Sequence, residues 1–131
     1  MSTDFINAYV TGNVGTTFTS SGACATFLYN LRAAVHDMEA GRVRVAIVGS
    51  TEAAITPEMI EGFGNMSALA NEEGLKKLDG TDTADHRRTS RPFGKNCGFT
   101  MCEGAQFVVL MDDKLALEMG AKVLGSVADV F

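Results

Sequence analysis

Cysteine is scarce in this chain and odd in number: Cys24, Cys97 and Cys102 are the three it has among 131 residues. That excludes a dense disulfide framework and points to reduced thiols in a reducing compartment. The C-x4-C spacing of Cys97 and Cys102 has no Cys or His cluster beside it, so no structural zinc site, other metal or cofactor is expected. Positive charge is also short. Eleven Lys and Arg against sixteen Asp and Glu give a net charge of −5, and the few basic residues are scattered, which leaves no footprint for nucleic acid. No apolar run reaches the ~18 residues of a membrane span. The opening Met1-Ser2-Thr3-Asp4-Phe5 lacks a basic flank before a hydrophobic core, so no signal peptide is expected and the cytoplasm is the default location. Internal repeats and low-complexity tracts are missing too. What remains, 46% hydrophobic and 21% charged residues, is the composition of a soluble globular chain of one-domain size.

Periodicity and turn signals indicate an α/β chain. Thr16 to Ser20 is a short strand candidate after the turn signals Gly12-Asn13 and Gly15, and residues 1–12 read as a loosely ordered arm. From Cys24 to Ala40, Phe27, Leu28, Leu31, Ala34, Val35 and Met38 recur at helical spacing, with Gly41 as the terminating residue. Val43 to Gly49 is an apolar strand that fits a βαβ unit with a buried sheet. Thr56-Pro57-Glu58 opens a short helix. Residues 71–88 read as a polar surface insertion loop. Gln106 to Met111 is a second buried strand, Asp113 to Met119 a helix closed by Gly120, and Lys122 to Ala128 a final strand.

Cys24 is the most informative residue. It lies in Phe18-Thr19-Ser20-Ser21-Gly22-Ala23-Cys24-Ala25-Thr26, where a strand candidate gives way to a helix. The positive end of a helix and its unsatisfied amides stabilise a thiolate, so a thiol there is a candidate nucleophile. A buried structural thiol is the alternative on placement alone.

The motifs that follow resolve the choice. Val45-Ala46-Ile47-Val48-Gly49-Ser50-Thr51-Glu52, Gly62-Phe63-Gly64-Asn65-Met66-Ser67-Ala68-Leu69, Ser90-Arg91-Pro92-Phe93 and Cys102-Glu103-Gly104-Ala105 come after Ala23-Cys24-Ala25-Thr26 in order. At these spacings, over about residues 16–128, the series resembles the elongating β-ketoacyl-[acyl-carrier-protein] synthases of the thiolase superfamily. The resemblance implies a thiolase-like α/β fold, with residues 1–131 a single partial ketosynthase domain: part of the N-terminal half and the start of the C-terminal half. It implies decarboxylative Claisen condensation of acyl and malonyl thioesters in fatty-acid or polyketide synthesis. Cys24 would carry the acyl group, Phe63 would line the acyl pocket, acyl carrier protein would be the partner, and a homodimer would form through the strand before the nucleophile. The chain is expected to be a piece of such a synthase, inactive alone.

The same resemblance sets limits. The family's two catalytic histidines belong to motifs absent from this stretch. His36, twelve residues past Cys24 on one helix, would stand about 18 Å away at a helical rise of 1.5 Å per residue, and His86 reads as a surface residue. Glu52 and Glu103 read as structural carboxylates, Glu103 buried and paired. Gly94-Lys95-Asn96-Cys97-Gly98-Phe99 replaces the family's acid- and Arg-containing continuation, and Phe27 is bulky where small residues are common. A divergent subfamily is implied. A chain-length-factor-like partner subunit is the alternative from another class, disfavoured because such partners commonly lack the Cys. A thiolase-type enzyme is the alternative within the superfamily.

Overall fold

Capping chemistry sets the starts of three helices in this computed structural model, which describes residues 2–131. Thr56 accepts a hydrogen bond from the Met59 amide and Pro57 takes the first helical position of α3, Pro57–Asn65, as the Thr-Pro-Glu sequence predicts. Asn71 caps α4, Glu72–Asp79, by accepting from the Gly74 amide. Asp112 does the same for α5, Asp113–Glu118, through the Leu115 amide. Gly41 at φ +70° and Gly120 at φ +62° turn the chain out of helices, as expected.

The remaining elements are α1, Ser2–Tyr9, α2, Thr26–Glu39, β1, Val45–Ala53, and β2, Glu103–Met111. The described residues form two compact units, 2–51 with Ala105–Phe131 and Glu52–Gly104. In the first unit β1 and β2 are neighbours in a two-stranded sheet. The pair is antiparallel: the Asp112 amide donates to the Arg44 carbonyl (2.9 Å), while Gly49 lies against Phe107 and Gln106. A Cβ on Gly49 would overlap the Phe107 ring, so this glycine is what lets the ring lie across the strand. Arg44 closes the end of the pair with Nε 2.6 Å from Asp112 Oδ2 and holds that carboxyl below its ordinary range, with the Leu115 amide adding to the effect.

Several sequence expectations need correction. Of the expected loose arm at residues 1–12, Met1 lies outside the described residues and residues 2–12 are not loose, since α1 occupies most of them and is fastened by Thr17 donating to Asp4 (2.9 Å) and by the Thr3–Thr19 hydroxyl pair (3.1 Å). Residues 16–20 and 122–128 form no strand: a strand exists only where a ladder partner does, and neither segment has one here. The expected βαβ unit therefore lacks its first strand, and β1 pairs with β2 instead. Residues 71–88 are not all loop, because α4 lies within them and carries Leu75, 2% exposed. Polar composition hid a strongly amphipathic helix with one deeply anchored apolar residue. The strands are also less buried than their composition suggests. Among the described residues, Val48, Leu75 and Ala116 are the buried hydrophobics, and Glu103 to Val109 of β2 are exposed. No described helix is long and apolar enough to cross a membrane.

Candidate active site

Cys24 belongs to a 3-10 turn, Ala23–Ala25, that leads directly into α2. Its thiol is free and exposed. The turn is tight: Ala23 adopts φ +47°, a left-handed conformation that costs an L-residue about 1–2 kcal/mol. Local bonds hold it. The Ala25 amide donates to the Gly22 carbonyl (2.9 Å), the Gly22 amide donates to Thr26 Oγ1 (3.0 Å), and that hydroxyl donates to the Ala23 carbonyl (2.8 Å). Asn30, one turn further along α2, accepts from both the amide and the hydroxyl of Ser20 (3.0 and 2.9 Å). The segment before Cys24 is thereby tied to the helix after it. Gly22 lies directly under the Tyr29 ring, where a Cβ would collide with it.

Phe63 belongs to the second unit, on α3, with its ring half-buried. It packs edge-to-face on Phe99, with centroids 5.0 Å apart and planes at 83°, an orientation that sets a positive ring edge on a negative face. Phe99 is fixed by its backbone. It bridges to Leu69, its amide donates to the Ala68 carbonyl (2.9 Å) and its carbonyl accepts from the Ala70 amide (3.0 Å).

The other motif residues take structural places. Glu103 is exposed rather than buried, but it is paired as expected of a structural carboxylate, accepting from the Ile55 amide (3.0 Å). Glu52 is exposed. Arg91 of the Ser-Arg-Pro-Phe segment reaches Asp79 at 2.7 Å, with Arg88 on the same carboxylate at 3.3 Å, so a carboxylate from α4 serves where the local acids are lost. His86 is a surface residue, 3.3 Å from Glu72. His36 is exposed on α2, ten residues into the helix and out of a base's reach of Cys24. A cavity of about 340 Å³ in the first unit is lined by residues of α1, of 14–18, of α2 and of β1, and Cys24 is not among them.

Sequence reasoning missed Asn30, Gly98 and Phe99. Asn30 is one polar residue in a helix and carries no signal of its own. Gly98-Phe99 could have been marked as a backbone approach, a lone glycine beside an aromatic before an apolar strand.

Comparison with known proteins agrees with this arrangement. The family model described as "Beta-ketoacyl synthase, N-terminal domain" matches residues 6–116. The chain is 60% identical over 131 residues to the beta-ketoacyl-[acyl-carrier-protein] synthase FabY of Pseudomonas aeruginosa, covering 100% of this chain and 21% of that protein. It is 35% identical over 114 residues to the chloroplastic 3-oxoacyl-[acyl-carrier-protein] synthase I of Arabidopsis thaliana, covering 86% of this chain and 22% of that one. The crystal structure of the noncanonical ketosynthase FabY from P. aeruginosa matches with a TM-score of 0.89 at 60% identity, over 98% of this chain and 20% of that one. The chain therefore spans about a fifth of the length of these relatives, and its α/β architecture is part of a thiolase-like fold. Since the family model covers most of the sequence and runs across both the Cys24 turn and Phe63, the chain belongs to the β-ketoacyl synthase family.

Proposed function

We propose that the protein to which this chain contributes is an acyltransferase that performs decarboxylative Claisen condensation in fatty-acid or polyketide synthesis, with Cys24 as its acyl-carrying nucleophile. The observation that carries this reading is the Cys24 turn: an exposed thiol at the start of α2, behind a left-handed Ala23, in a stretch that matches ketosynthases throughout. The Cys24 thiolate attacks the carbonyl of an acyl thioester, and the carrier thiol leaves. The acyl-Cys carbonyl then accepts the carbanion formed when a malonyl thioester loses CO2, and the Cys24 thiolate departs. The Cys24 amide is one donor for the oxyanion of the tetrahedral intermediate, and Phe63 lines the acyl pocket. Acyl carrier protein delivers both thioesters, as the names of the relatives indicate for those proteins, and the location is cytoplasmic. Residues 16–20, of which 16–19 are exposed and none has a ladder partner, pair with the same segment of a second copy in a homodimer. Neither His36 nor His86 assists decarboxylation, so the 131-residue chain alone does not condense.

Brief iodoacetamide treatment of the full-length protein, followed by peptide mapping, tests the assignment. Cys24 and Cys102 are both exposed in this chain, so exposure does not by itself single out Cys24. A nucleophile at a helix start labels first, and its labelling rate parallels the loss of acyl transfer. Equal labelling of Cys24 and Cys102, or activity that survives modification of Cys24, overturns the proposal.

A further inference from the structure

Phe63 is held from one side by Phe99, to which the sequence assigns no role. Phe99 presents its ring to Phe63 at 83° and 5.0 Å, yet Phe99 itself is 46% exposed and borders a cavity of about 260 Å³ lined by Thr89 to Phe93, Asn96, Gly98 and Thr100. A shell of side chains does not fix it. Its position is set by its own backbone, clamped on both sides by Ala68 and Ala70 through the parallel bridge to Leu69. That approach exists because residue 98 is glycine: Gly98 has φ +144°, and a Cβ there would lie 2.5 Å from the Ala70 nitrogen and from the Leu69 carbonyl carbon. Both obstacles are backbone, which cannot rotate away.

We propose that Phe99 is a positioning residue that sets acyl-chain-length selectivity by fixing the ring of Phe63; this rests on the reading of Phe63 as a lining residue of the acyl pocket. The depth available to an acyl chain depends on how far the Phe63 ring can turn aside. Phe99 limits that rotation from one direction, while the cavity beside Phe99 gives its ring somewhere to move when the clamp is loosened. Phe99 touches no reacting atom, so its removal alters which acyl chain is preferred and leaves the nucleophile unchanged.

The test uses the full-length enzyme with Phe63→Leu, Phe99→Leu and the double variant, and reads kcat/KM for short and long saturated acyl thioesters of the carrier protein. The expected result is that Phe99→Leu shifts the long-to-short ratio by about tenfold in the same direction as Phe63→Leu. The double variant shifts it no further than Phe63→Leu alone, because the two act through one ring, and the iodoacetamide rate at Cys24 is unchanged. Phe99→Tyr, which keeps the ring edge, retains the parental ratio and serves with Phe99→Met if Phe99→Leu loses its fold. A shift with Phe63→Leu but none at residue 99, or additive shifts, overturns the role of Phe99. No shift with Phe63→Leu overturns the pocket reading beneath it.

Discussion

The two candidate places, the Cys24 turn and the Phe63–Phe99 contact, are built in opposite ways. The Cys24 turn is closed by residues within ten positions of one another, from Ser20 to Asn30, using side-chain hydrogen bonds and one left-handed residue. The Phe63–Phe99 contact joins α3 to a distant strand-like segment, using backbone bonds and one glycine. Each depends on a glycine under close approach, and the obstacle differs. Gly22 faces the Tyr29 ring, a side chain that is 52% exposed and free to swing outward. Gly98 faces the main chain of Leu69 and Ala70. A turn made locally tolerates change, and a contact made across the chain does not.

Three substitutions in the full-length protein sharpen that contrast. Gly98→Ala has the largest expected effect, since the backbone conformation alone costs ~1–3 kcal/mol and the overlap with Ala70 adds to it. The denaturant midpoint falls while the iodoacetamide rate at Cys24 is kept, and a midpoint within error of the parent would show that the 68–70 segment yields. Asn30→Ala comes next. It removes the acceptor for two Ser20 donors at about 1 kcal/mol, and amide exchange at Ser20 quickens while the Phe63–Phe99 packing is untouched; unaltered exchange would mean that other bonds hold the segment. Gly22→Ala is the mildest, within about 0.5 kcal/mol, because Tyr29 moves aside. If it matched Gly98→Ala in cost, the distinction between the two glycines would fail.

This contrast also explains what could be read from sequence. The caps at Thr56 and Asp112, the stop at Gly41 and the stripe on α2 are set by neighbours in sequence, and most of them could be placed from spacing alone. Leu28 departs from that stripe at 55% exposure, because spacing gives a face but not what covers it. The candidates Cys24 and Phe63 came from motif order; Cys24 lies in the 3-10 turn that opens α2, where a helix start was expected, while Phe63 lies on α3, which runs beyond the Met59 and Ile60 that the sequence assigned to that helix. What escaped was decided by partners far along the chain. Glu103 was expected to be buried and is exposed, Thr16–Ser20 was expected to be a strand and lacks a ladder, and Phe99 gains its place through the 68–70 segment, about thirty residues away. The helix α4 was missed for a different reason: its composition is polar, and one residue, Leu75, supplies its anchor.

The antiparallel pairing of β1 with β2 has a consequence for how the chain reaches its fold. The strands are consecutive partners, yet nearly all of the second unit, Glu52–Gly104, lies between them in sequence. As an open coil, a connection on the order of 50 residues costs about 2 kcal/mol more to close than a five-residue hairpin loop. If the inserted unit condenses first, it replaces that floppy tether with a body of its own. The clamp at Gly98 then becomes a kinetic element as well as a static one, and a variant that weakens it slows the meeting of two strands it never touches.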